Sequence, residues 1–199
     1  MSLGILFTVA AVIFLAELPD KSMFASLVLG TRYRAGYVWL GVATAFLVHV
    51  VIAVAAGGVL HLLPQRLVET IVAVLFLVGA ALVLFGDEDA DESEAVVEVA
   101  TDLPASAPGF WRVFLTSFTV VFVGEWGDIT QIVTANYAAK YDPLTVGIGA
   151  TAGLWLVSGL GVSVGARLLR YVSMTLMKRV TALILAIFGV ITTVAAIKG

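Results

Sequence analysis

Two short motifs in apolar surroundings each contain a glutamate followed three residues later by an aspartate. Residues 14–22 read F-L-A-E-L-P-D-K-S, and residues 122–130 read F-V-G-E-W-G-D-I-T. On a continuous helix the two acids of a motif would lie on one face, so each motif could direct two carboxylates toward one point. Carboxylate oxygens are ligands that hard divalent cations prefer. The spacing therefore predicts a cation site made by four acids: Glu17, Asp20, Glu125 and Asp128.

The four acids outnumber the bases near them. Lys21 follows the aspartate of the first motif, whereas Ile129 stands at the equivalent position of the second. Two interpretations need no cation: an ion pair of Lys21 with Glu17 or with an acid of the other motif, and protonated, hydrogen-bonded carboxyl groups. Because one lysine cannot neutralise four carboxylates, we expect a divalent cation, protons, or each in turn to meet the remaining charge. Exchange between those two states would be cation/proton antiport.

Further possible ligands follow the acids at matched positions. Ser22 and Thr130 would add hydroxyl oxygens, although such side chains also bond to their own helix. Met23 and Gln131 come next, one with a thioether and the other with an amide oxygen. A thioether in the site would favour a transition metal such as manganese over calcium. The alternative for a methionine in a membrane helix is packing.

Helix-disturbing residues stand between the two acids of each motif. Pro19 and Gly127 occupy equivalent positions. Proline removes a backbone donor and clashes with the carbonyl four residues back, that of Leu15, while glycine loosens a helix without forcing a break. Either residue could free backbone carbonyls as extra ligands, and a packing kink is the alternative.

The composition excludes several kinds of site and partner. Of the 199 residues, 61% are hydrophobic and 13% are charged, with a mean hydropathy of +1.08, which is typical of a membrane protein and not of a soluble domain. The net charge of -3 provides no basic patch for nucleic acid. Without cysteine there is neither a disulfide nor a thiolate site, and two histidines are too few for a His-rich centre. His49, midway along an apolar stretch, could be a proton relay or make an interhelical hydrogen bond.

Six apolar stretches are long enough to span a bilayer as helices. They cover residues 3–30, 37–60, 67–86, 110–139, 143–165 and 176–197. The third and fourth are separated by a connection with eight acids and no Lys or Arg, a composition that predicts a solvated, disordered linker. We therefore expect three parts: a three-helix repeat in residues 1–86, an acidic linker in 87–108, and a second three-helix repeat in 109–199.

The two motifs recur at one constant offset, and A-T-A at residues 43–45 recurs at 150–152. Because each half has an odd number of spans, the two copies would lie upside down relative to each other in the membrane. The predicted fold is an all-α membrane protein with six transmembrane helices arranged as two inverted three-helix repeats. Many secondary transporters have this arrangement, with the site at the repeat interface.

The distribution of Lys and Arg between the loops predicts the orientation. One side would carry three bases and the other seven, so the second side is expected to be cytoplasmic. Both termini would then lie outside a bacterial-type plasma membrane, with the acidic linker inside.

Two other functions remain as alternatives to a cation transporter. An exporter of an amino acid or another small organic solute would need a base for the carboxylate, and Lys21 is the only deep one. An intramembrane enzyme would be expected to show H-E-x-x-H, a Cys nucleophile or an Arg-rich phosphate pocket, and the sequence has none of them. We therefore predict a non-enzyme without a permanently bound cofactor, whose partners are the lipid bilayer, a divalent cation and protons.

The two motifs resemble E-x-G-D-[KR]-[ST], which occurs once in each half of proteins of the Gdt family. Pro19 replaces the glycine of the pattern in the first copy, and Ile129 replaces the base in the second. The resemblance covers nearly the whole chain and implies a proton-coupled manganese and calcium transporter that exports its cation from the cytoplasm. Carried over by motif position, the implied site residues are Glu17, Asp20 and Ser22 in the first half and Glu125, Asp128 and Thr130 in the second.

Overall fold

The structure is a computed structural model that describes residues 2–17, 21–85, 109–168 and 174–198. In these ranges every regular element is an α-helix, so the predicted all-α class is confirmed for the described part of the chain. The helices are α1 (Leu3–Glu17), α2 (Lys21–Arg32), α3 (Ala35–Leu60), α4 (Gln65–Phe85), α5 (Phe110–Gly124), α6 (Ile129–Lys140), α7 (Pro143–Leu168) and α8 (Met174–Lys198). The predicted acidic linker, residues 87–108, lies outside the described residues.

Several of the helices have the length and apolarity of membrane spans. Within the described ranges, α3 and the segment Pro143–Ser163 of α7 are each long and apolar enough to cross a bilayer. The pair α5 and α6 makes a third candidate if it is taken as one span bent by 74°. Large apolar side chains cover the outside of the molecule, for example Phe7 at 68% and Ile197 at 74% exposure. Such a surface belongs in lipid, although six complete spans remain a prediction.

Each half of the chain packs its paired short helices on the long helix of the other half. The pair α1 and α2 packs against α7, and the pair α5 and α6 packs against α3. The two long helices α3 and α7 also contact each other, and α4 packs along α8. The two halves are therefore interleaved.

Glycines allow these helices to approach closely. A Cβ atom added at Gly41 of α3 would lie 2.5 Å from the carbonyl oxygen of Phe114 in α5. One added at Gly149 of α7 would lie 2.7 Å from the carbonyl oxygen of Leu6 in α1. Both contacts are with backbone, which cannot move aside as a flexible side chain does. Small residues at such positions are the usual basis of helix packing in membranes.

The long helices α3 and α7 are joined by two tryptophans. The Trp155 Nε1–H donates to the carbonyl oxygen of Ala43 at 2.9 Å, and the Trp39 Nε1–H donates to the carbonyl oxygen of Trp155 at 3.3 Å. The two indole rings meet edge to face, with centroids 5.8 Å apart. These contacts fix the central helix pair around which the short helices are arranged.

Candidate cation site

The second motif is a helix break. Helix α5 ends at Gly124, Glu125 is its C-terminal cap, and Asp128 is the N-terminal cap of α6. Between them Gly127 has φ +80°, in the left-handed region that glycine adopts without a steric cost. The expectation that glycine would loosen the helix without breaking it is therefore wrong. The two acids do not share the face of one continuous helix but cap the two helix ends on either side of the break.

Side chains of the motif hold the break in shape. The Asp128 Oδ2 accepts hydrogen bonds from the backbone N–H and the hydroxyl of Thr130, both at 3.2 Å. The Gln131 Oε1 accepts one from the Gly127 N–H, also at 3.2 Å. Asp128 thus has a structural role as the cap of α6. A carboxylate has two oxygens with several lone pairs, so this role is compatible with binding a cation through Oδ1.

A small cavity opens beside the break, between α3 and α6. The polar residues that line it are His49, Glu125, Thr130, Gln131 and Thr134, and its apolar wall is Phe46, Val50, Ala53 and Leu154. Glu125 and Thr130 are each 6% exposed. The cavity has room for one bound water or ion. Hard oxygen ligands are thereby gathered around a space of ionic size.

The glutamate of the first motif is also buried. Glu17 is fully buried at the C-terminal end of α1, and Glu125 has the equivalent position directly after the end of α5. Helix α1 contacts α6, and α2 contacts α5, so helices that border the first motif contact helices that border the second. Within the described ranges no three His, Asp or Glu side chains form a group that could hold a metal ion. The predicted meeting of four acids therefore stays a prediction, because Asp20 lies outside those ranges.

Several other predicted residues lie partly or wholly outside the described residues. Pro19 lies outside the described residues. Helix α2 begins at Lys21, but the side chains of Lys21, Ser22 and Met23 are not described. The alternative ion pair of Lys21 with Glu17 is accordingly untested. The Leu15 side chain is 55% exposed, and the prediction for this residue concerned its carbonyl, which also stays a prediction.

His49 of α3 makes the interhelical hydrogen bond that was one of its two predicted roles. It is 2% exposed, and its Nε2 lies 3.1 Å from the carbonyl oxygen of Phe122 in α5. Its ring contacts those of Phe122 and Trp126, with centroids 4.9 and 5.8 Å away. His49 is thereby fixed in the wall of the cavity, next to the break.

Among the buried polar residues that the structure describes, Thr134 and Glu69 make contacts that sequence reasoning missed. Thr134 lines the cavity and donates its hydroxyl to the carbonyl oxygen of Thr130 at 2.7 Å. Its position one helical turn after Thr130 was the available signal. Glu69 of α4 is 2% exposed and forms an ion pair of 2.7 Å with Lys140 at the end of α6. It was overlooked because it stands near the start of its apolar stretch, where acids usually reach water.

Comparison with known proteins gives the family. The model of the family described as divalent cation/proton antiporter GDT1 matches residues 5–91 and 113–199. The GDT1-like protein sll0615 of Synechocystis is 26% identical over 188 residues, which are 90% of this chain and 91% of that protein. The chloroplastic protein PAM71 of Arabidopsis thaliana is 31% identical over 199 residues, covering 90% of this chain and 54% of PAM71.

A third relative, the chloroplastic GDT1-like protein 2 of rice, is 27% identical over 94% of this chain and 60% of its own length. The chain thus spans nearly all of the cyanobacterial relative and somewhat more than half of the two chloroplast proteins. No solved structure is significantly similar to the chain. The matched family consists of transporters, so the prediction of a membrane transporter in place of an enzyme is confirmed. The chain belongs to the GDT1 family of divalent cation/proton antiporters.

Proposed function

We propose that the chain exports Mn²⁺, Ca²⁺ or both from the cytoplasm in exchange for protons, through a carboxylate site between its two halves. The observation that carries this proposal is the burial of Glu125 at a helix break, beside a cavity of ionic size that is lined by further oxygen ligands. Burial of an ionisable group in a membrane protein costs free energy, and such groups usually mark the path of an ion or a proton.

The chemistry of the cavity suits an exchange of cation for proton. Glu125 supplies a carboxylate, Thr130 a hydroxyl and Gln131 an amide oxygen, and all three belong to the hard ligand class that Ca²⁺ and Mn²⁺ accept. The apolar wall lowers the local dielectric, which raises the cost of negative charge in the cavity. A divalent cation and a proton can each neutralise a carboxylate, and the two would therefore compete for Glu125.

Several features support a second, inverted copy of this arrangement in residues 1–86. Each half places its two short helices on the long helix of the other half: α1 and α2 pack on α7, and α5 and α6 pack on α3. Two equivalent halves would show this same packing when one is interchanged with the other. Gly41 and Gly149, which make equivalent close contacts, are separated in sequence by as many residues as Glu17 and Glu125. The two segments matched by the family model begin, and also end, with the same separation. In this arrangement Glu17, Asp20 and Ser22 complete the site, with both termini outside and residues 87–108 in the cytoplasm.

Reconstituted vesicles provide the direct test. The protein is placed in liposomes with a metal-sensitive dye and a pH dye inside, and Mn²⁺ or Ca²⁺ is added outside. We expect metal flux accompanied by proton flux in the opposite direction. Glu17→Gln and Glu125→Gln should abolish both fluxes, because each removes a charge while keeping the shape of the side chain.

A buried acid outside the site provides the matched control. Glu69→Gln removes a carboxylate of similar burial that pairs with Lys140. The folded fraction of this variant should keep the coupled fluxes. Metal flux that ignores an imposed pH gradient would refute the exchange with protons, and full activity of Glu125→Gln would refute the site itself.

A further inference from the structure

The break after α5 leaves one backbone carbonyl for a partner outside the helix. In a continuing helix the carbonyl of Phe122 would accept from the N–H of Trp126, but that N–H donates to the carbonyl of Val123 at 3.4 Å. The Phe122 oxygen is instead 3.1 Å from His49 Nε2. Because a carbonyl oxygen only accepts, Nε2 must carry the hydrogen. The neutral imidazole therefore has its free lone pair on Nδ1.

The Nδ1 atom of His49 is fully buried and has no hydrogen-bond partner among the described residues. Nearly all buried polar atoms of proteins are paired, so an atom without a partner in the fold is suited to binding an ion or a water. His49 lines the cavity together with Glu125, Thr130 and Gln131. A cation in that cavity would be a partner for the lone pair.

We propose that His49 binds the transported cation through Nδ1 and biases the site toward a first-row transition metal such as Mn²⁺ over Ca²⁺. This inference rests on the proposed function and adds a nitrogen ligand from α3 to the oxygen ligands of α5 and α6. Ca²⁺ takes oxygen ligands in proteins, whereas imidazole is a common ligand of transition metals. The hydrogen bond to Phe122 would orient the ring, as partners of metal-bound histidines usually do.

The first test detects the nitrogen directly. The chain has two histidines, His49 and His61, and His61 lies at the exposed end of α3, 2.9 Å from the carbonyl oxygen of Ala139. The protein is prepared with ¹⁵N-labelled histidine and loaded with Mn²⁺, and pulsed electron paramagnetic resonance measures couplings to ¹⁵N. We expect a directly bound nitrogen in the wild type and in His61→Gln. Bound Mn²⁺ without such a coupling in these two proteins would overturn the inference.

The second test separates binding from orientation. The amide of His49→Gln can still donate to the Phe122 carbonyl, but it offers an oxygen where the ring offered nitrogen. We expect the ratio of Mn²⁺ to Ca²⁺ transport to fall about tenfold or more, because loss of even an outer-shell partner of a metal ligand costs about 10–100-fold in affinity. His61→Gln should keep the wild-type ratio. An unchanged ratio in His49→Gln would contradict the inference.

The two proposals fail in different ways. If Glu125→Gln abolishes transport and His49→Gln keeps the metal ratio, the role of His49 is wrong and the carboxylate site stands. If Glu125→Gln transports normally, the carboxylate site is wrong, and the nitrogen coupling still decides whether His49 binds Mn²⁺. The spectroscopic test uses the wild type and His61→Gln, so it holds even if His49→Gln fails to fold.

Discussion

Replacement of Gly57 by alanine tests the packing that forms one side of the cavity. Gly57 lies in α3 against α6, the helix that carries Thr130 and Gln131. A Cβ atom there would lie 2.6 Å from the carbonyl oxygen of Ala135 and 2.7 Å from the Cβ of Ala138. To reach an ordinary contact of 3.4 Å, α3 and α6 must separate locally by about 0.8 Å.

The neighbouring glycine is a matched control. A Cβ added at Gly58 would have no atom within 4 Å. Both substitutions gain the same helix propensity, about 1 kcal/mol, so the difference between the two variants isolates the steric effect. Overpacking of this kind costs about 1–3 kcal/mol, and we expect Gly57→Ala to be less stable than Gly58→Ala by that amount.

Unfolding in mixed micelles with increasing sodium dodecyl sulfate, followed by tryptophan fluorescence, measures the difference. Gly57→Ala should unfold at a lower detergent fraction than Gly58→Ala and transport cations more slowly, since the separation of α3 from α6 widens the cavity. Equal unfolding midpoints for the two variants would refute the close contact of α3 with α6.

Two further substitutions test the break and a loop outside the membrane segments. Gly127→Ala forces φ +80° on a residue with a side chain, at a cost of about 1–2 kcal/mol, and should lower both stability and metal flux. A Cβ atom at Gly124 would likewise meet no neighbouring atom, so Gly124→Ala is the control and should lower neither. Equal flux in the two variants would contradict a need for the break. Hydrogen bonds from the Thr145 hydroxyl and N–H hold the pKa of Asp142 below its usual value. The stability from these hydrogen bonds to Asp142 is therefore complete above the usual pKa of an aspartate and disappears as pH falls through the lowered pKa of the folded protein. The advantage of the wild type over Asp142→Asn in thermal unfolding should thus shrink below about pH 4. An advantage that does not change with pH would contradict this role of Asp142.

The burial of the motif acids could be predicted from the sequence. Glu17 and Glu125 stand inside apolar stretches, and a helix that carries so many apolar neighbours can only place an acid in lipid or in the protein interior. The interior is much less costly, and both residues are found there. The helical class followed from the same apolar stretches, because a bilayer-spanning segment must satisfy its own backbone hydrogen bonds.

The geometry at the second motif could not be predicted in the same way. A glycine in a helix is compatible with helical and left-handed backbone alike, and the residue type of Gly127 does not decide between them. The left-handed choice at Gly127 is accompanied by the cap of Asp128 and the hydrogen bond from Gln131. Two acids expected on one helical face are consequently found at two helix ends.

The ligand set around the cavity depends on contacts between distant parts of the chain. Neither the bond of His49 to the Phe122 carbonyl nor the ion pair of Glu69 with Lys140 has a local signature, because in each case the two partners belong to helices far apart in sequence. A lone histidine in an apolar stretch is compatible with several roles until its neighbours are known.

The amino-acid sequence by itself determined that this protein is helical, belongs in a membrane and buries acids suited to cations. These properties depend on composition and on neighbours along the chain, because the free energy of moving a helix from water into the membrane is a sum over its own residues. Only the tertiary structure decided that α5 and α6 separate at Gly127 and that α3 brings His49 to the break. Those outcomes depend on which helices approach closely, and close packing is a property of matched surfaces and not of any single segment.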